Sequence, residues 1–222
     1  MRIETFTLTA FQQNTRVVSC ETTRKAICID PGEPSDDLVS YIRDNELELQ
    51  AIILTHGHLD HIGGTAALAR AFPEAEILLH REEMYLYEKL TQQPLLMGIP
   101  PHQLRAMGME YDDPPKPTRF LEHGETYQVG DLSFSVRHVP GHTLGHIVLA
   151  EENERAVFTG DCLFNGTIGR TDLPGGDYHQ LIASITEHVL SLGDDFVAYC
   201  GHGPETTVGR ERATNPFLAG AD

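Results

Sequence analysis

Thr55-His56-Gly57-His58-Leu59-Asp60-His61 places three imidazoles and a carboxylate directly after the apolar run Ala51-Ile52-Ile53-Leu54. A short apolar run that gives way abruptly to polar ligands reads as a buried strand ending in an exposed loop. In an extended turn His56 and His58 project to one side while Asp60 and His61 point elsewhere, so one loop can feed two neighbouring sites with two ligands each. Three further strand-like runs end in the same manner, at Gly141-His142, Gly160-Asp161 and Gly201-His202. His142 would complete the first site and His202 the second, and Asp161 carries two oxygens able to bridge ions about 3.5–4 Å apart.

Taken singly, each residue has a plainer reading. Asp60 precedes a helical stretch and reads as its N-cap, and His142 or His202 alone reads as an ordinary surface or buried histidine. The combination decides otherwise. Imidazole and carboxylate are ligands of zinc that also suit iron, manganese or nickel. His56, His58, Asp60, His61, His142, Asp161 and His202, all at strand ends and each beside glycine or another ligand, point to a metal-dependent enzyme, and foremost to a hydrolase. Of the other histidines, His146 lies four residues after His142 and fits a supporting place behind the ligands. His80, His102, His123, His138, His179 and His188 receive no special role.

Composition narrows the class. The chain has 222 residues, 40% of them hydrophobic, enough for one large domain over residues 1–222 with a substantial core. Its formal charge of −17, from 16 basic and 33 acidic residues, argues against a nucleic-acid partner, which needs a basic face to meet phosphates. No apolar stretch reaches the roughly 20 residues of a membrane span. Met1-Arg2-Ile3-Glu4-Thr5 lacks the layout of a secretory signal, so a cytoplasmic protein is expected. Cys20, Cys28, Cys162 and Cys200 show no zinc-finger spacing and read as reduced, buried residues.

The rest of the chain supplies a scaffold for such loops. Strands are expected at 3–10, 16–20, 26–30, 51–54 and 77–79, then at 120–121, 126–129, 132–139, 147–150, 156–159 and 196–200. Helices are expected at 35–45, 62–72, 81–90, 178–192 and 205–212. Residues 91–116 combine five prolines with Met97, Met107 and Met109, and read as an irregular, partly helical insertion near the site. Strands outnumber helices in each half, and each half ends in helix. Two mixed sheets packed face to face, with helices on the outer faces, would bury both sheets.

At these residues the chain resembles the metallo-beta-lactamase superfamily, whose HxHxDH loop matches residues 56–61 and whose later His, Asp and His match 142, 161 and 202. It is most similar to the glyoxalase II (hydroxyacylglutathione hydrolase) group, in its short bacterial form. The phrases that carry this are Pro140-Gly141-His142-Thr143, Gly160-Asp161, Gly169-Arg170-Thr171-Asp172 and Gly201-His202-Gly203-Pro204. The resemblance implies an αββα four-layer sandwich and hydrolysis of a small-molecule acyl thioester such as S-lactoylglutathione. It implies two divalent ions, zinc foremost with iron or manganese as alternatives. His56, His58 and His142 would hold one ion, Asp60, His61 and His202 the other, and Asp161 would bridge. The nucleophile would be a hydroxide between the metals, with Asp60 orienting it as a catalytic residue.

Full-length glyoxalase II adds a helical domain that contacts glutathione, and residues 203–222 are too few to form one; the insertion at 91–116 is the expected substitute lid. Cys200 stands where relatives carry proline. The rival within the superfamily is a persulfide dioxygenase, which shares the Gly-Arg-Thr-Asp phrase and would hold a single iron through His56, His142 and Asp161. Hydrolysis of a lactone or another activated acyl group is a further alternative. A non-catalytic member would be expected to have lost ligands.

Overall fold

The computed structural model describes residues 1–96, 99–109 and 111–218. Alternation of apolar side chains explains its layering. In β3 (Lys25–Ile29) and β4 (Glu48–Ile53), Ala26, Cys28 and Ile52 face one way, and Ile27, Ile29, Ala51 and Ile53 face the other. Strands apolar on both faces belong inside a covered sheet. β1 (Arg2–Leu8), β2 (Gln13–Ser19), β3, β4, β5 (Glu76–Leu79) and β6 (Arg119–Phe120) form one six-stranded sheet in that order. Its β1–β2–β3 part is antiparallel and its β3–β4–β5–β6 part parallel.

The second sheet repeats the plan. It contains β7 (Thr126–Val129), β8 (Leu132–His138), β9 (Ile147–Glu151), β10 (Ala156–Gly160), β13 (Val197–Cys200) and β14 (Thr206–Thr207). The order is β14-β13-β10-β9-β8-β7, with a parallel β10–β13 pair in an otherwise antiparallel sheet. Between β10 and β13 a small hairpin, β11 (Leu163–Phe164) and β12 (Thr167–Ile168), stands apart.

Three apolar cores define four layers. Between the sheets, Ile27, Ile53 and Leu78 of the first meet Phe134, Ile147, Leu149 and Phe158 of the second. Truncating a fully buried aromatic such as Phe158 to alanine would cost about 3–5 kcal/mol of stability. Outside the first sheet, α1 (Asp36–Asp44), α2 (Leu59–Ile62) and α3 (Thr65–Ala71) contribute Leu38, Ile42, Leu59, Ile62 and Leu68. Against the second sheet, Leu181 and Ile185 of α7 (Tyr178–His188) pack with Val208 of α8 (Val208–Thr214). Caps fix the entries to α1 and α7: Ser35 Oγ accepts from Leu38 N at 3.2 Å, and Asp177 Oδ1 from Gln180 N at 2.9 Å. Two mixed sheets with helices outside them match the αββα expectation.

The expected helices are less continuous than their sequence periodicity. The stretch 62–72 holds one helix, α3, which Gly63-Gly64 separate from the end of α2 at Ile62, where the chain crosses the loop after β3. A Cβ on Gly63 would lie 2.5 Å from Gly32 O, and Gly64 N donates to Pro31 O at 2.8 Å. The stretch 81–90 is a 3₁₀ turn, Arg81–Glu83, followed by α4 (Met84–Tyr87). Helix 178–192 stops at His188 and continues as the 3₁₀ turn Leu190–Leu192. The insertion holds another 3₁₀ turn, Leu90–Gln92, and the short helices α5 (Gln93–Leu96) and α6 (Pro101–Ala106). All four cysteines are free and buried. No helix among the described residues is long and apolar enough to cross a membrane.

Candidate metal centre

Four strand ends meet along one edge of the two sheets. The loop 55–61 follows β4, His142 sits between β8 and β9, Asp161 follows β10, and His202 follows β13. Hydrogen bonds across the sheets hold these ends together: Ile147 N donates to Thr55 O at 2.8 Å, and Gly201 N to Gly160 O at 2.8 Å. From the far side of the first sheet, Asn14 N donates to Gly201 O at 2.7 Å and Arg16 Nη1 to Cys200 O at 2.7 Å. These bonds explain why β2 begins at Gln13, four residues before its apolar part: its polar start, Gln13 to Arg16, is buried because it ties down the last loop.

All seven sequence-selected residues come together, in two clusters. In the first, His142 Nε2 lies 2.9 Å from His58 Nδ1 and 3.3 Å from His56 Nε2. In the second, His61 Nε2 lies 3.3 Å from His202 Nε2, and His202 Nε2 lies 3.2 Å from Asp60 Oδ2. Asp161 stands between them: Oδ1 is 3.2 Å from His61 Nε2, and Oδ2 is 3.5 Å from His202 Nε2 and 3.9 Å from His142 Nε2. Ligand nitrogens placed tetrahedrally at about 2.0–2.1 Å from zinc are about 3.3 Å apart. The donor spacings in the two clusters, 2.9 to 3.9 Å, bracket that figure. Asp161 Oδ1 is buried yet has no hydrogen-bond partner, since the nearby His61 nitrogen lies outside bonding geometry. A buried carboxylate oxygen of this kind fits a cation. Asp60 occupies the first turn of α2 and does not cap it; the N-cap position belongs to His58, and no side chain caps the helix.

Charge separates the clusters. Burial, reinforced by neighbouring imidazoles, keeps His56 well below the ordinary histidine range and pushes His58 down to about 3; burial likewise lowers His142. Three neutral imidazoles therefore offer free lone pairs. In the second cluster burial is overridden. Asp161, Asp60 and Asp30 raise His61 well above its ordinary value, and the hydrogen bond to Asp60 raises His202. Conversely, burial would raise Asp60 and Asp161, but the imidazoles hold both below the usual carboxylate range.

The nitrogens that face away from the clusters are also held. His61 Nδ1 bonds Asp30 Oδ2 at 2.9 Å, His142 Nδ1 bonds Arg170 O at 2.8 Å, and His202 Nδ1 bonds Phe11 O at 3.0 Å. Such partners fix the tautomer and ring orientation of a ligating histidine. Asp30 also accepts from Thr55 N at 2.7 Å and Thr55 Oγ1 at 2.6 Å, from a left-handed backbone at φ 52°. It lies close to both His56 and His61, but through the His61 nitrogen turned away from the centre, so it backs that ligand. Sequence reading passes over Asp30, although Ile27-Cys28-Ile29-Asp30 is another apolar run ending in a carboxylate. His146 stands behind the ligands, the lesser of its two sequence readings. It is buried, stacks on His56 with ring centroids 5.1 Å apart, and accepts from Asp161 N through Nε2 at 3.1 Å.

Another group of metal-type residues, His80, Glu82 and His138, is different. The two rings stack 4.2 Å apart and 15° from parallel, so their lone pairs do not converge on one point.

An open cavity of about 350 Å³ lies over the two clusters. Phe11, Leu59, Phe164 and Leu173 give it apolar walls, and Arg170 is its one basic lining residue among the described residues. Arg170 donates to both oxygens of Asp172, at 2.7 and 2.8 Å. None of the described residues of 91–116 lines this cavity. The segment packs behind the ligand loop and encloses a separate apolar cavity of about 240 Å³ between Leu90, Pro94, Leu104 and Tyr111.

Known proteins with this arrangement are readily found. Residues 8–202 match the model of the metallo-beta-lactamase superfamily. Hydroxyacylglutathione hydrolase GloC of Haemophilus influenzae is 39% identical over 219 residues, covering 98% of each chain. Among solved structures, BLEG-1 B3 metallo-beta-lactamase superposes with a TM-score of 0.84 at 34% identity, over 99% of this chain and 100% of that one. TTHA1623, crystallised in a di-iron-bound form, superposes with a TM-score of 0.83 at 37% identity, over 97% of this chain and 100% of that one. With the ligand loops of its sequence gathered at the edge of two covered sheets, the chain belongs to the metallo-beta-lactamase superfamily.

Proposed function

We propose that this protein hydrolyses S-lactoylglutathione or a related acyl thioester, using two divalent metal ions. The observation that carries the reading is the pairing of a three-imidazole cluster with an acidic one across Asp161, beneath an open cavity. Similarity to GloC supports the thioester as substrate. His56, His58 and His142 would hold one ion and Asp60, His61 and His202 the other, with Asp161 shared. Zinc suits this donor set, and iron or manganese does too; the di-iron form of TTHA1623 supports iron.

Bound at such a pair, divalent ions lower the pKa of water from about 15.7 toward 7 and polarise an acyl carbonyl. The chain's own groups do the rest. Asp60, whose carboxylate faces the cavity, orients the attacking water by accepting its hydrogen bond. Phe11, Phe164 and Leu173 exclude water from the acyl carbon and accept apolar parts of the substrate. The hydrolysis yields a hydroxy acid and a free thiol, with water supplying the hydroxyl to the acid and the proton to the thiol. We read the chain as one cytoplasmic domain acting on a small molecule, without a nucleic-acid partner.

Anaerobic assay on S-lactoylglutathione, with lactones and β-lactams in the same panel, tests the reading. Thiol release at several turnovers per second is expected, since typical turnover numbers are about 1–10³ s⁻¹. Oxygen uptake with glutathione persulfide, with no thioester cleavage, would overturn it in favour of a mononuclear-iron dioxygenase.

A further inference from the structure

Glu83 is fully buried, and among the described residues no lysine or arginine pairs with it. Burying a carboxylate is costly unless hydrogen bonds compensate. Both of its oxygens accept backbone N–H groups: Oε2 from Gly57 at 2.6 Å and Oε1 from Gly145 at 2.6 Å. Gly57 is the residue between His56 and His58, and Gly145 follows His142 by three. The two loops leave different sheets, so this one side chain spans the gap between them. The opposite side of the same loop is held by Gln93, whose Nε2 donates to Gly57 O at 2.6 Å and whose Oε1 accepts from Leu59 N at 2.9 Å. Gly57 is thus gripped through its N–H and its carbonyl, with no room for a side chain: a Cβ there would lie 2.8 Å from Leu86 Cβ and 3.0 Å from Glu83 Oε2. Burial pushes the Glu83 carboxyl up to about 7, the mark of a group kept in place against its solvation.

The geometry points to Glu83 as the positioning residue that sets the distance between the His56/His58 pair and His142, and with it the metal affinity of the three-imidazole cluster. The inference rests on the two-cluster reading above. Glu83 touches neither ligand side chains nor the cavity, so it acts only through the loops. The acidic cluster is anchored independently, His61 by Asp30 and His202 by Phe11 O. Its affinity should therefore be indifferent to Glu83.

The test is a competition titration of the stripped full-length protein with Zn²⁺ against a chromophoric chelator, which resolves two dissociation constants. In Glu83→Gln the amide NH₂ would face a backbone N–H, and one of the two bonds is lost. One constant should weaken about 10–100-fold, the usual cost of losing an outer partner of a metal site, while the other stays at its wild-type value. The Co²⁺-loaded variant should lose the visible bands of one site only. Glu83→Asp, which keeps the carboxylate but shortens the bridge between the two loops, carries the test should Glu83→Gln fail to fold. Glu82→Gln, on the exposed neighbour, should leave both constants unchanged. Equal weakening of both constants, with a lowered melting temperature of the metal-free protein, would reduce Glu83 to a general structural role and overturn the inference, as would two unchanged constants. A wild-type chain with a single constant would overturn the two-cluster reading itself, and the inference with it.

Discussion

The two ligand clusters lie side by side yet solve opposite electrostatic problems. The His56/His58/His142 cluster is neutral, and burial keeps it so. The Asp60/His61/His202 cluster, with Asp161 alongside, carries carboxylates that draw protons onto their imidazole neighbours. A metal arriving at the first meets imidazoles that hold protons weakly, whereas at the second it competes with protons held more tightly. The contrast leads us to expect that the two clusters would differ in affinity and selectivity for an ion.

The comparison can be tested by effects of decreasing size. Removing all metal with a chelator should lower thioester turnover by about 10³-fold or more, because several kcal/mol of transition-state stabilisation disappear; residual turnover near the untreated level would show that the clusters are not catalytic. His58→Ala should strike the neutral cluster alone, halving metal content and lowering activity about 10²-fold. Full activity with metal left only in the acidic cluster would sink the two-metal assignment. Asp30→Asn removes the carboxylate behind His61 and should weaken the acidic cluster's affinity about 10-fold, more than that of the other cluster, which Asp30 reaches only through Thr55 and its bond to His56 Nδ1. A change in the neutral cluster instead would invert the comparison.

Acidity provides the gentlest probe. In the metal-free protein His61 and His202 are raised, so their stabilising contribution is complete below the unfolded histidine value of about 6.5 and fades as pH climbs through their folded values. Asp60 and Asp161 are depressed, so theirs is present above about 4 and fades as pH falls through their folded values. His56, His58, His142 and His146 are depressed by burial, so they oppose folding increasingly as pH falls below about 6.5. Melting temperatures of the metal-free protein should therefore peak at about pH 6.5 and decline on either side. Bound metal should reverse the alkaline decline, and on acidification the acidic cluster should release its ion first. Simultaneous release of both, followed by metal analysis across a pH series, would contradict the contrast between the clusters.

Much of this was legible in the chain because the ligands obey a local rule. A strand that must be buried ends where a polar ligand begins, and that junction is visible at Leu54-Thr55-His56, Gly160-Asp161 and Gly201-His202. The sandwich followed from the same alternation, which put Ile27 and Cys28 on opposite faces of one strand. Less visible were residues whose partners are remote in sequence. Glu83 and Gln93 sit on short helical pieces and look like solvated polar residues, because nothing local records that Gly57 comes to rest between them. The separation of α2 from α3 at Gly63-Gly64 has a similar cause: the obstacle, residues 31–33, comes from another part of the chain. The described residues of the insertion at 91–116 brace the ligand loop from behind through Gln93 and do not line the cavity, which its prolines and methionines do not reveal.

The grip of β2 on the last ligand loop has a temporal meaning. Asn14 and Arg16 are made well over a hundred residues before Cys200 and Gly201, whose carbonyls they hold. Until then the polar start of β2 has no partner and the acidic cluster has no His202. Contacts of such sequence separation form slowly, so the acidic cluster becomes able to capture an ion only when the two ends of the fold have closed on each other.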